Sequence, residues 1–163
     1  MVKKNRFSIF DDILVEVDEM CILINEYDSQ LHDYNGVELY QAESQMVKII
    51  GDFPGISAIE CAKKLKKTSS ACSQIVRKLR NKGWIKQERN ELNNRVYNLY
   101  LTDSGKELYK NHRKFEDKCL KRTFKLLEPF DDKDLKKCSV ILKALNKGFL
   151  QDVEDGKILE LDE

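Results

Sequence analysis

Between Lys63 and Arg89 the chain carries ten lysines or arginines and one acid, Glu88. Residues 1–62 hold twelve acids against four bases, and all 163 residues together have a formal net charge of +1. Basic charge gathered in one segment of a near-neutral chain is the footprint of a face that binds a polyanion. An ordinary solvated helix face would show the same run of charge, so the pattern alone does not decide. Inside the basic segment, Thr68, Ser69, Ser70, Ser73 and Gln74 cluster just ahead of Arg77, Lys78 and Arg80. Short hydroxyls allow close approach to a phosphate, and the free amides of a helix start attract one. Gln74 has the paired donor and acceptor that read an adenine edge. The arginines and lysine suit phosphates better than bases.

Other chemistry is poorly represented. The five cysteines, Cys21, Cys61, Cys72, Cys119 and Cys138, are scattered, odd in number and without C-x-x-C spacing. Neither a zinc knuckle nor a secreted disulfide framework is indicated. Most read as small buried apolar residues in a reducing compartment. Two histidines, His32 and His112, cannot build a multi-histidine metal site. His112, Glu116 and Cys119 could share a helix face, but exposed helix positions account for them as well, and no metal is expected. There is no nucleophile elbow and no phosphate-binding glycine loop, so neither an enzyme nor a bound cofactor is expected.

The elements that would position the basic segment follow from periodicity and capping. With 41% hydrophobic and 35% charged residues, two prolines and seven glycines, the chain has the profile of a helix-rich globular protein. No apolar run approaches the ~20 residues of a membrane span. The amino terminus lacks the apolar stretch of a signal peptide, and a cytoplasmic location is expected. Apolar residues at spacings of three and four predict a first helix from about Phe7 to Leu31. His32–Leu39 reads as a loop around Asn35-Gly36. A second helix is expected over Gln41–Gly51, burying Met46, Val47, Ile49 and Ile50, before a turn at Asp52–Gly55.

Ser57-Ala-Ile-Glu60 is a capping box that opens a short helix to Leu65, with Ile59, Ala62 and Leu65 inward. Thr68 is placed as N-cap of the next helix, Ser69–Lys82, with Gly83 as its stop. Trp84–Arg89 and Arg95–Leu101 have strand composition and flank a polar tip, Asn90–Asn94. Thr102 caps a long helix, roughly Asp103–Leu127. A last helix runs from Asp131 or Asp132 through Phe149. Two short helices joined by a tight turn and followed by a hairpin define a winged helix-turn-helix, whose second helix enters the major groove. The fold class expected is mainly α, an α+β winged helix.

Ser73–Ile85 resembles the recognition-helix segment of the multiple antibiotic resistance regulator (MarR) family. Arg95–Thr102 followed by Gly105 resembles that family's wing and the start of its long fifth helix. The resemblance covers nearly the whole chain in element order and is most specific over residues 56–105. It implies a symmetric dimer that binds double-stranded DNA at a pseudo-palindrome and is released by a ligand, oxidant or metal. Arg95 matches the wing arginine that enters a minor groove, where a narrow groove offers negative potential. Asn93 stands where an aspartate is usual, two residues before that arginine. Cys21 near Tyr27 does not reproduce the cysteine–tyrosine pattern of peroxide-sensing relatives, and a buried core cysteine is the simpler reading.

Apolar residues beyond those a small winged domain can cover, among them Phe115, Leu120, Phe124, Leu126, Leu127, Leu142, Leu145 and Phe149, point to a homodimer. The expected organisation is a dimerisation helix and loop over 1–39 and a DNA-binding region over 40–102. Dimerisation helices follow over 103–150, with an acidic tail over 151–163. The DNA-contacting residues expected are Ser57, Thr68, Ser69, Ser70, Ser73, Gln74, Arg77, Lys78 and Arg95. The function expected is a sequence-specific transcription regulator, a repressor released by a small-molecule effector. The alternatives are a protein-interaction winged helix that does not bind DNA, or a metal- or redox-sensing regulator of the same fold.

Overall fold

The computed structural model describes residues 5–159, and its chain divides into two compact units, Met1–Asp117 and Lys118–Glu163. The first unit begins with α1 (Arg6–Ser29), capped by Asn5, whose side chain accepts from the Ser8 amide at 2.8 Å. The helix stops before Leu31, because Leu31 is taken by a strand. Residues 32–39, expected to be a loop, form a β-hairpin instead. β1 (Leu31–Asp33) and β2 (Glu38–Tyr40) pair with His32 opposite Leu39. Between them Asn35 (φ 64°) and Gly36 (φ 87°) both take positive φ. That is the I′ geometry that Asn-Gly favours, because its twist matches the flanking strands.

α2 (Gln41–Asp52) buries Met46, Val47 and Ile50. Its start is held by the Glu43 carboxylate, which accepts the Tyr40 amide at 3.2 Å. A two-residue strand, β3 (Ile56–Ser57), precedes α3 (Ala58–Leu65) and α4 (Ser69–Asn81). The hairpin strands β4 (Ile85–Arg89) and β5 (Tyr97–Leu101) complete a three-stranded antiparallel sheet in the order β3-β5-β4. Ile56 faces Leu99 and Ile85 faces Leu101. Both hairpin strands are shorter than the sequence suggests, and Arg95 falls in the turn rather than on β5.

The core of this unit joins Leu39, Met46, Val47, Ile50, Cys61, Val76, Leu79, Ile85, Leu99 and Leu108. Ile59 is a correction to the expected core. It is 56% exposed, because α3 turns Cys61 and Ala62 inward instead. Phe115 is another, since it packs within the unit, 5.2 Å from the Tyr34 ring between centroids. His112 is buried, not exposed, and lies 5.1 Å from the same ring. Burial holds its imidazole below the usual histidine range.

α5 (Asp103–Lys125) leads out of the first unit, and the second is built on α6 (Asp132–Leu159). Asp131 caps α6 by accepting the amides of Lys133 and Asp134 at 2.8 and 2.9 Å. The helix continues ten residues past Phe149, so the expected tail from Gln151 is helical as far as Leu159. Residues 160–163 of that tail lie outside the described residues. Among the described residues, no helix is long and apolar enough to cross a membrane.

Candidate nucleic-acid interface

The local chemistry of α3 and α4 sets the turn between them. Ser57 accepts the Glu60 amide at 3.3 Å, while Glu60 accepts both the Ser57 amide at 2.9 Å and its hydroxyl at 2.7 Å. The Ser57 hydrogen bonds hold the Glu60 carboxyl below the usual carboxylate range. Ser57 is buried, so its hydroxyl is committed to this cap. At the other end Lys66 adopts a left-handed conformation (φ 51°), and the Lys67 amide donates back to the Ala62 carbonyl at 3.1 Å. The chain is thus reversed within three residues. Thr68 then caps α4 by accepting the Ala71 amide at 3.2 Å.

On α4 the apolar side is Cys72, Val76 and Leu79. Thr68, Ser69, Ser70, Ser73, Gln74 and Arg77 are all exposed. The Ser73 hydroxyl donates to the Ser69 carbonyl at 2.8 Å, which leaves its oxygen lone pairs outward-facing options for a donor. Lys78 behaves differently. It is ion-paired with the nearly buried carboxylate of Glu43 on α2, and its ammonium stands 5.5 Å from the Tyr40 ring centroid. This lysine therefore braces α4 against α2. Arg80 is also engaged, donating to Gln87 on β4 at 2.8 Å, which ties α4 to the hairpin.

The hairpin tip is organised by asparagines. Asn90 Oδ1 accepts the amides of Leu92 and Asn93, each at 3.0 Å, while its amide group donates to Asn98 at 3.1 Å. Asn93 Oδ1 accepts the Arg95 backbone amide at 3.1 Å. Asn93 thus fixes the main chain at Arg95 while the exposed guanidinium is not its partner. Leu92 is 98% exposed at the same tip. An apolar side chain there offers van der Waals contact to sugars or base edges, a feature that sequence reasoning passed over because it sought charge alone.

The cysteines divide by position. Cys61 and Cys72 are fully buried in the helix-turn-helix, and burial pushes the Cys61 thiol up to about 12 and the Cys72 thiol upward as well. A thiol so strongly protonated is a poor nucleophile. Cys21, expected to be a core cysteine, is exposed, and so is Cys138. They sit on α1 and α6, helices that expose many apolar side chains. Among the described residues no three histidines, cysteines or acids gather as a metal site.

Residues 45–86, spanning most of α2 through the first residues of β4, match the family of winged helix-turn-helix DNA-binding domains. The domain is a winged helix-turn-helix. The match ends inside β4, so the hairpin tip that makes the wing stands on the structure itself. The winged helix also resembles solved structures along most of its length. One is Lactococcus lactis ZitR, described as a zinc-responsive MarR family member, with a TM-score of 0.72 and 21% identity. That superposition covers 86% of this chain and 99% of ZitR. Streptococcus pneumoniae FabT in complex with DNA superposes with a TM-score of 0.64 and 19% identity, over 90% of this chain and 99% of FabT. ZitR in complex with DNA gives a TM-score of 0.68 and 22% identity, over 83% and 97%. No curated protein matches the chain by sequence. At these identities the likeness is one of fold.

Proposed function

We propose that the chain is a sequence-specific DNA-binding transcription regulator of the MarR family. On this reading it is a repressor that works as a homodimer on a pseudo-palindromic operator and is released by a small ligand. The observation that carries the reading is the exposed shoulder of α4, from Thr68 to Arg77, beside a wing whose exposed tip holds Arg95. Similar folds in FabT and ZitR have been seen with DNA, which supports the partner. Thr68, Ser69, Ser70, Ser73 and Gln74 approach the major groove, Arg77 meets phosphate, and Arg95 enters the minor groove.

Capture and sequencing of genomic fragments, followed by mobility shift, tests the reading. No specific duplex retained at low salt would count against it and favour a protein-interaction module. Gln74→Ala is expected to relax sequence preference at one base pair per half-site by about 1–3 kcal/mol. Arg95→Ala is expected to weaken all duplexes alike. The opposite pattern would reverse the two roles.

The dimer rests on uncovered apolar surface. α1 has no buried residue in the single chain, and Phe7, Val15 and Ile22 are each more than half exposed. On α6, Val140, Leu150 and Val153 are exposed to a similar degree. Exposed apolar side chains on each of these helices suit an association site, and a two-fold mate covers both helices. Light scattering is expected to give twice the chain mass, with half-sites about 34–36 Å apart on the duplex. A monomer at micromolar concentration would remove the dimer.

A further inference from the structure

A groove of about 500 Å³ lies between α3 and the turn that joins it to α2. Its lining is apolar at Phe53, Pro54 and Ile56 and cationic at Lys63 and Lys64. Phe53 is 48% exposed, and the Lys64 ammonium stands 3.9 Å from its ring centroid. That contact is a cation–π pair, which holds charge and ring side by side at the mouth of the groove. Glu60 also lines the groove, but its carboxylate is committed to the Ser57 amide and hydroxyl.

From Glu60 to Lys67 the chain carries four exposed lysines, Lys63, Lys64, Lys66 and Lys67, against that one glutamate. None of the four forms an ion pair among the described residues. A phosphate backbone matches their charge but gains nothing from the Phe53 ring or from Ile56. A partner that uses the whole lining must set carboxylates on both sides of an aliphatic side chain. The chain holds such a segment. Glu160-Leu161-Asp162-Glu163 places three acids around one leucine, with no base among them. Its three negative charges balance the excess of three positive charges over residues 60–67. The DNA-binding reading gives this segment no task.

We propose that the groove between Phe53 and Lys64 is a docking surface for the chain's own acidic segment, Glu160–Glu163. Leu161 seats against Phe53, Pro54 and Ile56, and the flanking carboxylates meet Lys63 and Lys64. Burial of the leucine supplies specificity for the groove, while the charges supply attraction that weakens as salt rises. The docked segment occupies lysines of the helix-turn-helix and so competes with a duplex for them. That regulatory consequence rests on the DNA-binding reading above; the docking itself does not.

The test titrates a synthetic peptide of residues 157–163 into the DNA-free full chain and follows amide NMR. Shifts are expected at Phe53, Gly55, Ile56 and Lys64. Phe53→Ser in the chain is expected to raise the peptide Kd about tenfold, and Leu161→Ser in the peptide to do the same. Lys64→Glu is expected to raise it about fivefold. Leu161→Ser in the chain should lower the Kd of the unaltered peptide about threefold, as for a groove about two-thirds occupied by its own segment. Equal Kd values for the parent chain and its Leu161→Ser variant would leave the groove to an acidic segment of another protein and overturn the proposal. A Leu161→Ser peptide that binds as well as the unaltered one shows charge attraction alone and overturns it too. So do shifts confined to α4 or an unchanged Kd for Phe53→Ser. Because Leu161→Ser in the chain keeps every charge, it is expected to tighten duplex binding about threefold at about 50 mM salt. An unchanged duplex affinity overturns the regulatory consequence alone. A chain that binds the peptide at Phe53 but no duplex overturns the DNA reading and leaves the docking standing.

Discussion

Raising monovalent salt from about 50 to about 200 mM is expected to weaken binding of an operator duplex by roughly 10³-fold or more. The argument is counterion release. Each phosphate neutralised by a lysine or arginine frees a condensed cation, and the entropy of that release shrinks as bulk salt rises. Lys63, Lys64, Lys66, Lys67, Arg77 and Arg95 are exposed bases of the winged helix, whereas Lys78 and Arg80 are occupied by Glu43 and Gln87. If about half of the exposed set meets phosphate in each protomer, a dimer makes the roughly 6–10 contacts from which such a loss follows. Arg77→Ala is expected to reduce the logarithmic slope by about 2, one contact in each protomer. Lys78→Ala should instead act mainly on folding, because it leaves the nearly buried Glu43 carboxylate without its cation. A duplex affinity insensitive to salt would be incompatible with the proposed interface.

The second large effect lies far from any base contact. Gly105→Ala is expected to destabilise the chain by about 3 kcal/mol, with a fall in Tm of about 10 °C. A Cβ at Gly105 would stand 1.9 Å from the Trp84 carbonyl oxygen and 2.9 Å from its carbon. Backbone atoms cannot swing aside as a side-chain end can, so α5 or the start of the wing must move. That carbonyl also accepts the Thr102 amide at 3.0 Å, and the displacement would break the bond. Thermal unfolding of Gly105→Ala beside Gly36→Ala provides the check. Gly36 is open to space, so its substitution meets only the backbone strain of φ +87°. A Gly105→Ala protein as stable as the parent would mean that α5 does not approach the wing so closely.

These effects show which parts of the design could be read from sequence. The capping box at Ser57 and Glu60, the N-cap at Thr68 and the Gly83 stop are local in sequence, and each forms as its spacing predicts. The alternation of apolar residues likewise placed α2, α4 and the wing strands to within a few residues. The β1–β2 hairpin escaped notice because three-residue strands carry almost no periodic signal, although Asn35-Gly36 did mark its turn. β3, with two residues, gives none. Partners distant in sequence were illegible too. Nothing around Lys78 says that Glu43, thirty-five residues earlier, will pair with it and brace two helices. Exposed and buried cysteines look alike in a chain, and only the fold separates Cys21 and Cys138 from Cys61 and Cys72. That Arg95 belongs to the hairpin was legible; its place in a turn pinned by Asn90 and Asn93, and not on β5, was not.

The root of the wing has a consequence of its own. The Gly83 carbonyl accepts the hydroxyls of both Thr102 and Ser104, at 2.6 and 3.1 Å, and these residues open α5. The finger is therefore clamped at its base and free at its point, like a cantilever set into the helix. Bending it at the base would break several bonds together, and tilting it along with α5 would also strain its register with β3 and the Arg80–Gln87 bond. Whatever Arg95 touches therefore meets a finger whose root is held from three sides.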